Sequence, residues 1–485
     1  MLRSPLQSIS VRTGAAQRGE TRLTPDLQSL PFDPTDPEAA LLQLPHASAV
    51  FALYGADIHA EPYIGRTPNL RARLERLLQP SPKHPRRLQL AGRVRRIAYR
   101  LTGSDFESLL LQFELLEEIY GPKTLDRMHL SAPAFIRFLG SNTYPRITVT
   151  NRPSQREADW AYGPFASRAA AERFADEALK LFLLRRCSDD LDPNPSHPGC
   201  VYSEMKMCLA PCYQGCTDQR YAEESAAVES FLSTRGDSRL VPLRTQRDQA
   251  SVDLEFESAA ALHAQVQRIE AVRALAPEIV RPMSQLRAVI LQASAHPAEV
   301  SVFLYEGGIL RGPQPFSTIG MRIQNEQSGS TSLFAQPVAI EPIPEEPQTL
   351  PARNIVAPDE IRSEALKGHG FSRANLGHQD PGALAPEGSL SVPSEATPQP
   401  AKLPRGLLET RLESVLTNLA EPNDPSSPTI RQGHLALLKR WYYRPEIRRT
   451  GEILFPDPEG HWPARQILRG IGRVAAKSLQ ILPPA

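Results

Sequence analysis

The sequence predicts an α/β protein, of the α+β kind, assembled from several small modules, and three observations lead there. Short apolar strands alternate with amphipathic helices over the first 120 residues. A length of 485 residues exceeds what a single core ordinarily encloses. Finally, 47 prolines punctuate the chain, eleven of them between 341 and 405, where Phe371 is the sole aromatic. That last stretch buries too little apolar surface to fold and reads as a linker.

Taken in order, residues 1–45 read as a loose Pro-dotted arm. Its opening, Arg- and Ser-rich, resembles an organelle transit peptide more than a secretory signal, because it lacks an apolar core. AVFALYG (49–55) is a strand and PYIG (62–65) follows a loop. A helix is expected from Asn69 to Leu78 with Asn69 as its cap. RVRRIAYRLT (93–102) is strand-like, and Ser104 or Asp105 caps a helix whose Leu109, Leu110, Phe113 and Leu116 keep the 3.6 period. Residues 46–130 are thus a three-stranded sheet with flanking helices. Residues 131–235 contain a strand at TYPRITVT (143–150), a helix from Ser167 and a helix over 218–233. A helical hairpin is expected over 236–280 and a β-rich segment over 281–340, with a Gly-Gly turn. The linker at 341–405 then leads to a separate C-terminal region, 406–485. It holds a helix at 434–444 and, in RGIGRVAAKSL (469–479), a segment that resembles a helix–hairpin–helix element.

Net charge is only +1, but its distribution is uneven. From Arg66 to Arg100 there are eleven Lys and Arg against one acid, Glu75. A surface of one sign neutralises phosphates, which points to nucleic acid, with Arg71, Arg76, Arg86 and Arg87 as contact residues. No run of eighteen apolar residues exists, so a membrane partner is not expected and a cytoplasmic location is.

All five cysteines fall between Cys187 and Cys216. Without a secretory signal, disulfides are disfavoured. Thiolates at this density select zinc or an iron–sulfur cluster, and spacing alone leaves the two open.

Residues 49–74, AVFALYGADIHAEPYIGRTPNLRARL, resemble the core of the GIY-YIG nucleases, and specifically of the UvrC type found in bacterial nucleotide-excision repair. The likeness continues through YPRITVT, through YGPFASRAAAERFADEALKLFLLRRC and through the cysteine spacing, covering roughly 47–315. It implies Cys187, Cys200, Cys208 and Cys212 as ligands of a [4Fe-4S] cluster, with zinc as the alternative and Cys216 as surplus. Residues 249–272 resemble the UVR motif, which implies UvrB as a protein partner beside DNA.

The resemblance implies Tyr63 near the attacking water and Arg73 on the phosphate. Arg66 stands where the family has lysine, keeping the charge but losing a titratable amine. Two family groups are replaced. Phe51 occupies the position of the first tyrosine and has no hydroxyl. Gln112 occupies that of the glutamate that holds Mg²⁺ or Mn²⁺, and a neutral amide binds a hard cation far less well. The expected function is therefore a UvrC-like repair protein that binds DNA, with its own incision activity in doubt. The alternatives are an active metal-dependent, structure-specific endonuclease using Glu107 or Glu118, and a cluster-bearing nucleic-acid-binding scaffold outside repair.

Overall fold

The computed structural model describes residues 27–57, 60–79, 90–188, 191–321, 403–420 and 427–481. The chain divides into one unit of residues 1–324 with 402–485 and a second of 325–401, which lies outside the described residues together with most of the expected linker. The mixed helix and sheet architecture agrees with the expected class: three four-stranded antiparallel sheets with helices packed on them.

The first sheet runs β1 (Gln28–Pro31), β4 (Arg96–Leu101), β2 (Ala49–Tyr54), β3 (Tyr63–Thr67). Between them lie α1 (Pro37–Leu42) and α2 (Leu70–Leu78), and α3 (Asp105–Tyr120) follows. The expected arm thus gives up residues 28–42, and the sheet has four strands rather than three. Leu30 and Phe32, with Ala40 and Leu41 of α1, enter the same core as α2, which is why the arm folds onto it. Helix α2 starts where Asn69 Oδ1 accepts the Ala72 N–H at 3.0 Å. Its Leu70, Leu74, Leu77 and Leu78 are all buried, and each contributes about 1.5–3 kcal/mol.

Strand alternation gives this sheet two unlike faces. Phe51, Leu53, Ile97 and Tyr99 lie with the leucines of α2, and Tyr63 packs among them. On the reverse face Val50 and Ile64 meet Leu111 and Leu115 of α3.

A short α4 (Thr124–Arg127) leads to the second sheet, ordered β6 (Ile147–Thr150), β5 (Ala134–Phe138), β7 (Ala161–Phe165), β8 (Arg281–Pro282). Strand β5 escapes a period-two reading because Ala134, Phe135, Ile136 and Phe138 are all buried, covered on both faces. Helix α5 (Arg168–Leu179) lies against it, capped by Ser167 as expected. The described part of the cysteine segment contains two short turns, α6 (Val201–Glu204) and a 3-10 turn at Pro211–Tyr213; α7 (Asp218–Ser233) follows. Two antiparallel helices, α8 (Asp237–Val252) and α9 (Phe256–Ala274), then form the hairpin.

The third sheet is ordered β11 (Ile309–Ser317), β10 (Glu299–Glu306), β9 (Ala288–Ala293), β12 (Glu452–Leu454). Here the expectation of a separate C-terminal region is corrected. Strand β12 pairs with β9, while α10 (Arg405–Ala420) and α12 (Ala464–Ile481) cover the sheet through Leu412, Leu416, Ile467 and Ile471. Helix α11 (Pro428–Tyr442) enters the main core, where Trp441 meets Phe106 at a ring distance of 5.2 Å. The Gly-Ile-Gly segment is no hairpin; it lies inside α12. A Cβ on Gly470 would meet Leu291 Cδ1 and Glu452 Oε2 at 2.8 Å, so this glycine lets the helix sit close on its sheet.

Candidate metal centre and nuclease-like site

Four cysteines that the sequence spreads over three loop segments meet around one small cavity: Cys187, Cys200, Cys208 and Cys212. All are free thiols. Backbone geometry makes this possible, since Gly199, Lys206, Ala210 and Gln214 adopt positive φ and fold the chain back on itself between short turns. The loop is pinned by Asn194 N–H donating to the Cys212 carbonyl at 2.9 Å, and by Cys200 N–H donating to Ser203 Oγ at 3.0 Å.

Two donors already face the sulfurs. Ala210 N–H points at Cys208 Sγ from 3.2 Å and Arg185 Nη1 at Cys187 Sγ from 3.6 Å. The Arg185 guanidinium is buried and anchored by Nε on the Tyr144 carbonyl at 3.0 Å. Tyr221 Oη accepts the Arg185 N–H at 3.2 Å and donates to the Pro145 carbonyl at 2.8 Å. Burial, and then the neighbouring thiols, push the Cys208 thiol up to about 11; burial likewise raises Cys212. Without a bound cation Cys208 and Cys212 are therefore protonated near neutral pH, and a metal must displace those protons. Cys216 is not part of the ring: it packs against the main core, with Asp218 beside it. The supporting pair Arg185 and Tyr221 was not anticipated; a buried cation two residues before the first ligand is the signal the sequence offered.

The nuclease residues are divided between the two faces of the first sheet. Tyr63 and Phe51 share one face, with ring centroids 6.2 Å apart. Phe51 is fully buried, and its ring covers Gly65. Arg73 is half-buried on α2, the helix over that face. Among the described residues, neither Tyr63 Oη nor the Arg73 guanidinium makes a hydrogen bond or ion pair with a carboxylate. Arg66 points the other way: it is in register with Val50 and ion-paired to Asp105 at the start of α3, whose other oxygen takes Arg444 Nη1 at 2.5 Å. Gln112 is half-buried on α3, two turns after Asp105 and so on the same side of that helix.

Neither alternative carboxylate bonds to Tyr63. Glu107 bends back to accept the Gly103 N–H at 3.0 Å and its acidity is weakened chiefly by burial. Glu118 is exposed on the last turns of α3. Of the expected DNA contacts, Arg71 is engaged by Glu75 at 3.1 Å and Arg76 Nε by the Ala72 carbonyl at 3.0 Å. Arg86 and Arg87 lie outside the described residues. The hairpin presents an exposed apolar tip, Val252, Leu254 and Phe256, between α8 and α9.

Comparison with known families bears on this arrangement. Residues 135–231, which hold all five cysteines, match the model of the UvrC/Cho excinuclease, middle domain. The chain is similar to UvrC proteins over about half its length. UvrABC system protein C of Alcanivorax borkumensis is 31% identical over 238 residues, 49% of this chain and 39% of that protein. The UvrC of Pseudomonas protegens is 27% identical over 241 residues, 50% of this chain and 39% of its own. That of Ruminiclostridium cellulolyticum is 28% identical over 307 residues, 62% of this chain and 49% of its own. The similarity to these UvrC proteins therefore spans about two fifths to one half of their length. No solved structure matches the chain. Among the described residues, no helix is long and apolar enough to cross a membrane.

Proposed function

We propose that this UvrC-related chain serves nucleotide-excision repair as a DNA-binding protein with a metal–thiolate centre and a silent nuclease-like site. The observation that carries the reading is the meeting of Cys187, Cys200, Cys208 and Cys212 around one cavity within the UvrC-like middle domain. Four thiols gathered at one site suit an iron–sulfur cluster, with a single zinc ion as the alternative, and we take the cluster as the reading. The N–H groups of Ala210 and Arg185 would take up the negative charge of cluster-bound thiolates. When bound, the cluster supplies a rigid cross-link to a segment with almost no regular structure. This chain's own residues hold it in place and exclude water from it.

The silence of the nuclease-like site rests on three features. Phe51 has no hydroxyl to set beside Tyr63, Gln112 offers no charge to a hard divalent cation, and Arg66 is engaged by Asp105 on the reverse face. DNA and UvrB are the partners this reading assigns, the latter through residues 249–272, which include the apolar tip of the hairpin. The test is an incision assay with Mn²⁺ and a bubble-containing duplex. Wild-type protein and Arg73→Ala are both expected to leave the strand intact. Nicking by the wild type that Arg73→Ala abolishes would show an active endonuclease instead.

A further inference from the structure

A cleft of about 860 Å³ opens between the first sheet and the C-terminal elements that complete the third. One wall carries Arg66 and Asp105, the opposite wall the turn Glu446–Arg448 with Arg449, and Lys477 of α12 closes one end. Three acids line the cleft: Asp105 and Glu452 are spent, and Glu446 stands exposed on the turn against Arg448, Arg449 and Lys477. Asp105 is shared by two guanidiniums, those of Arg66 and Arg444. Glu452 is held in a two-pronged pair by Arg473, at 2.7 and 2.6 Å. Arg449 donates Nη1 only to a neutral carbonyl, that of Tyr442, at 3.1 Å. Arg448 and Lys477 are exposed and make no ion pair among the described residues. Positive charge is thus left in excess within a concave site whose low-dielectric walls focus its field.

A second feature is independent of charge. Ile447, on the lip of the cleft between Glu446 and Arg448, is 99% exposed. It is an apolar side chain held out on a short turn that Pro445 starts and that Arg448 and Arg449 N–H bonds to the Pro445 carbonyl close. An aliphatic wedge followed directly by two arginines, Arg448 and Arg449, resembles the arrangement with which proteins enter a base step while gripping the adjoining phosphates. The opposite wall is fixed in place. A Cβ on Gly103 would lie 2.2–2.5 Å from the backbone of Ala293 to Ala295, so the loop before α3 and the β9–β10 turn touch backbone to backbone and set the floor of the cleft.

We propose that this cleft is a DNA-binding groove, with Arg448, Arg449 and Lys477 on backbone phosphates and Ile447 inserting at an unstacked base step. The inference rests on the DNA-repair reading and adds to it a site outside both the cysteine centre and the nuclease-like face. A base step that is already open costs less to enter, so the wedge should favour a bubble over an intact duplex.

The experiment measures binding of the full chain to fluorescent bubble and intact duplexes across a salt series. The double variant Arg448→Glu/Lys477→Glu is expected to weaken both complexes by about tenfold or more and to lower the salt slope by about two. Ile447→Ser should weaken the bubble complex alone and narrow the preference between the two DNAs. All three positions are exposed, and an unchanged circular dichroism spectrum and melting temperature exclude misfolding as the cause. If the wild type binds DNA and the charge reversal leaves that binding unchanged, the cleft is not the groove, while the DNA-repair reading stands. Displacement of the DNA by inorganic phosphate or a mononucleotide at equal concentration would mark a small-anion site and overturn the proposal. A wild type that binds no DNA at any salt would overturn both.

Discussion

At position 114 the chain carries a carboxyl group enclosed beneath the first sheet, on a residue that is otherwise half-buried. Burial raises its pKa to about 7 and the charge of Arg100 only partly opposes the rise. The sign follows from proton counting. Between the unfolded value near 4.5 and about 7 the native state holds more protons than the unfolded chain, so stability falls as pH rises through that window. Glu114→Gln should therefore stabilise the protein at pH 8 by something of order 2 kcal/mol relative to its effect at pH 5. Denaturant melts at the two pH values check this, and an equal effect at both would refute it. The same scale explains what motif matching conveys and what it leaves out. Tyr63 and Arg66 belong to one recognisable segment, but they are three residues apart on a strand and therefore face opposite ways. Alternation was legible in the sequence. That Asp105 and Arg444, the latter 378 positions after Arg66, would meet Arg66 was not, because nothing local encodes it.

The loops from Cys187 to Cys216 behave as one element despite having little regular structure. Their order comes from positive-φ turns, a few backbone hydrogen bonds and, on the proposed reading, the centre the four thiols hold. Substitution should then separate ligand from bystander. Cys208→Ala is expected to lose bound iron and sulfide and to expose the 187–212 segment to proteolysis, lowering the melting temperature by several degrees. Cys216→Ala should keep full metal content. Anaerobic purification with metal analysis and limited proteolysis reads both outcomes, and equal loss in the two variants would refute the four-ligand assignment. The cysteine spacing made this element visible in the sequence without any fold. Helices α2, α3, α5 and α7 were equally visible, since each starts at a Ser, Thr or Asn cap and keeps a helical apolar period. Strand β5 was missed because it is buried on both faces, and β1 because three exposed residues around the half-buried Leu30 carry no pattern until β4 is beside them.

At the scale of the whole molecule, the N-terminal and C-terminal parts share one core. Phe106 of α3 meets Phe303 of β10 edge-on and Trp441 of α11, each at 5.2 Å, so three distant segments close one aromatic cluster. Beside it Phe113 packs on His434, whose Nδ1 accepts the Leu310 N–H at 3.1 Å and which burial keeps neutral, with its pKa lowered to about 3. Trp441 is 1% exposed and donates Nε1 to the Thr450 carbonyl at 3.1 Å, so it ties α11 to the segment that becomes β12. Truncating it removes a large buried ring from a junction that has no other way to fill the space. Trp441→Ala should cost about 3–5 kcal/mol. The pattern of loss is as telling as its size. Because the ring touches α3 directly, proteolytic protection of the first sheet should fall together with that of β12 and α12, in a single transition. If the C-terminal helices were instead released while residues 28–120 kept their full protection, the shared core would be two cores in contact.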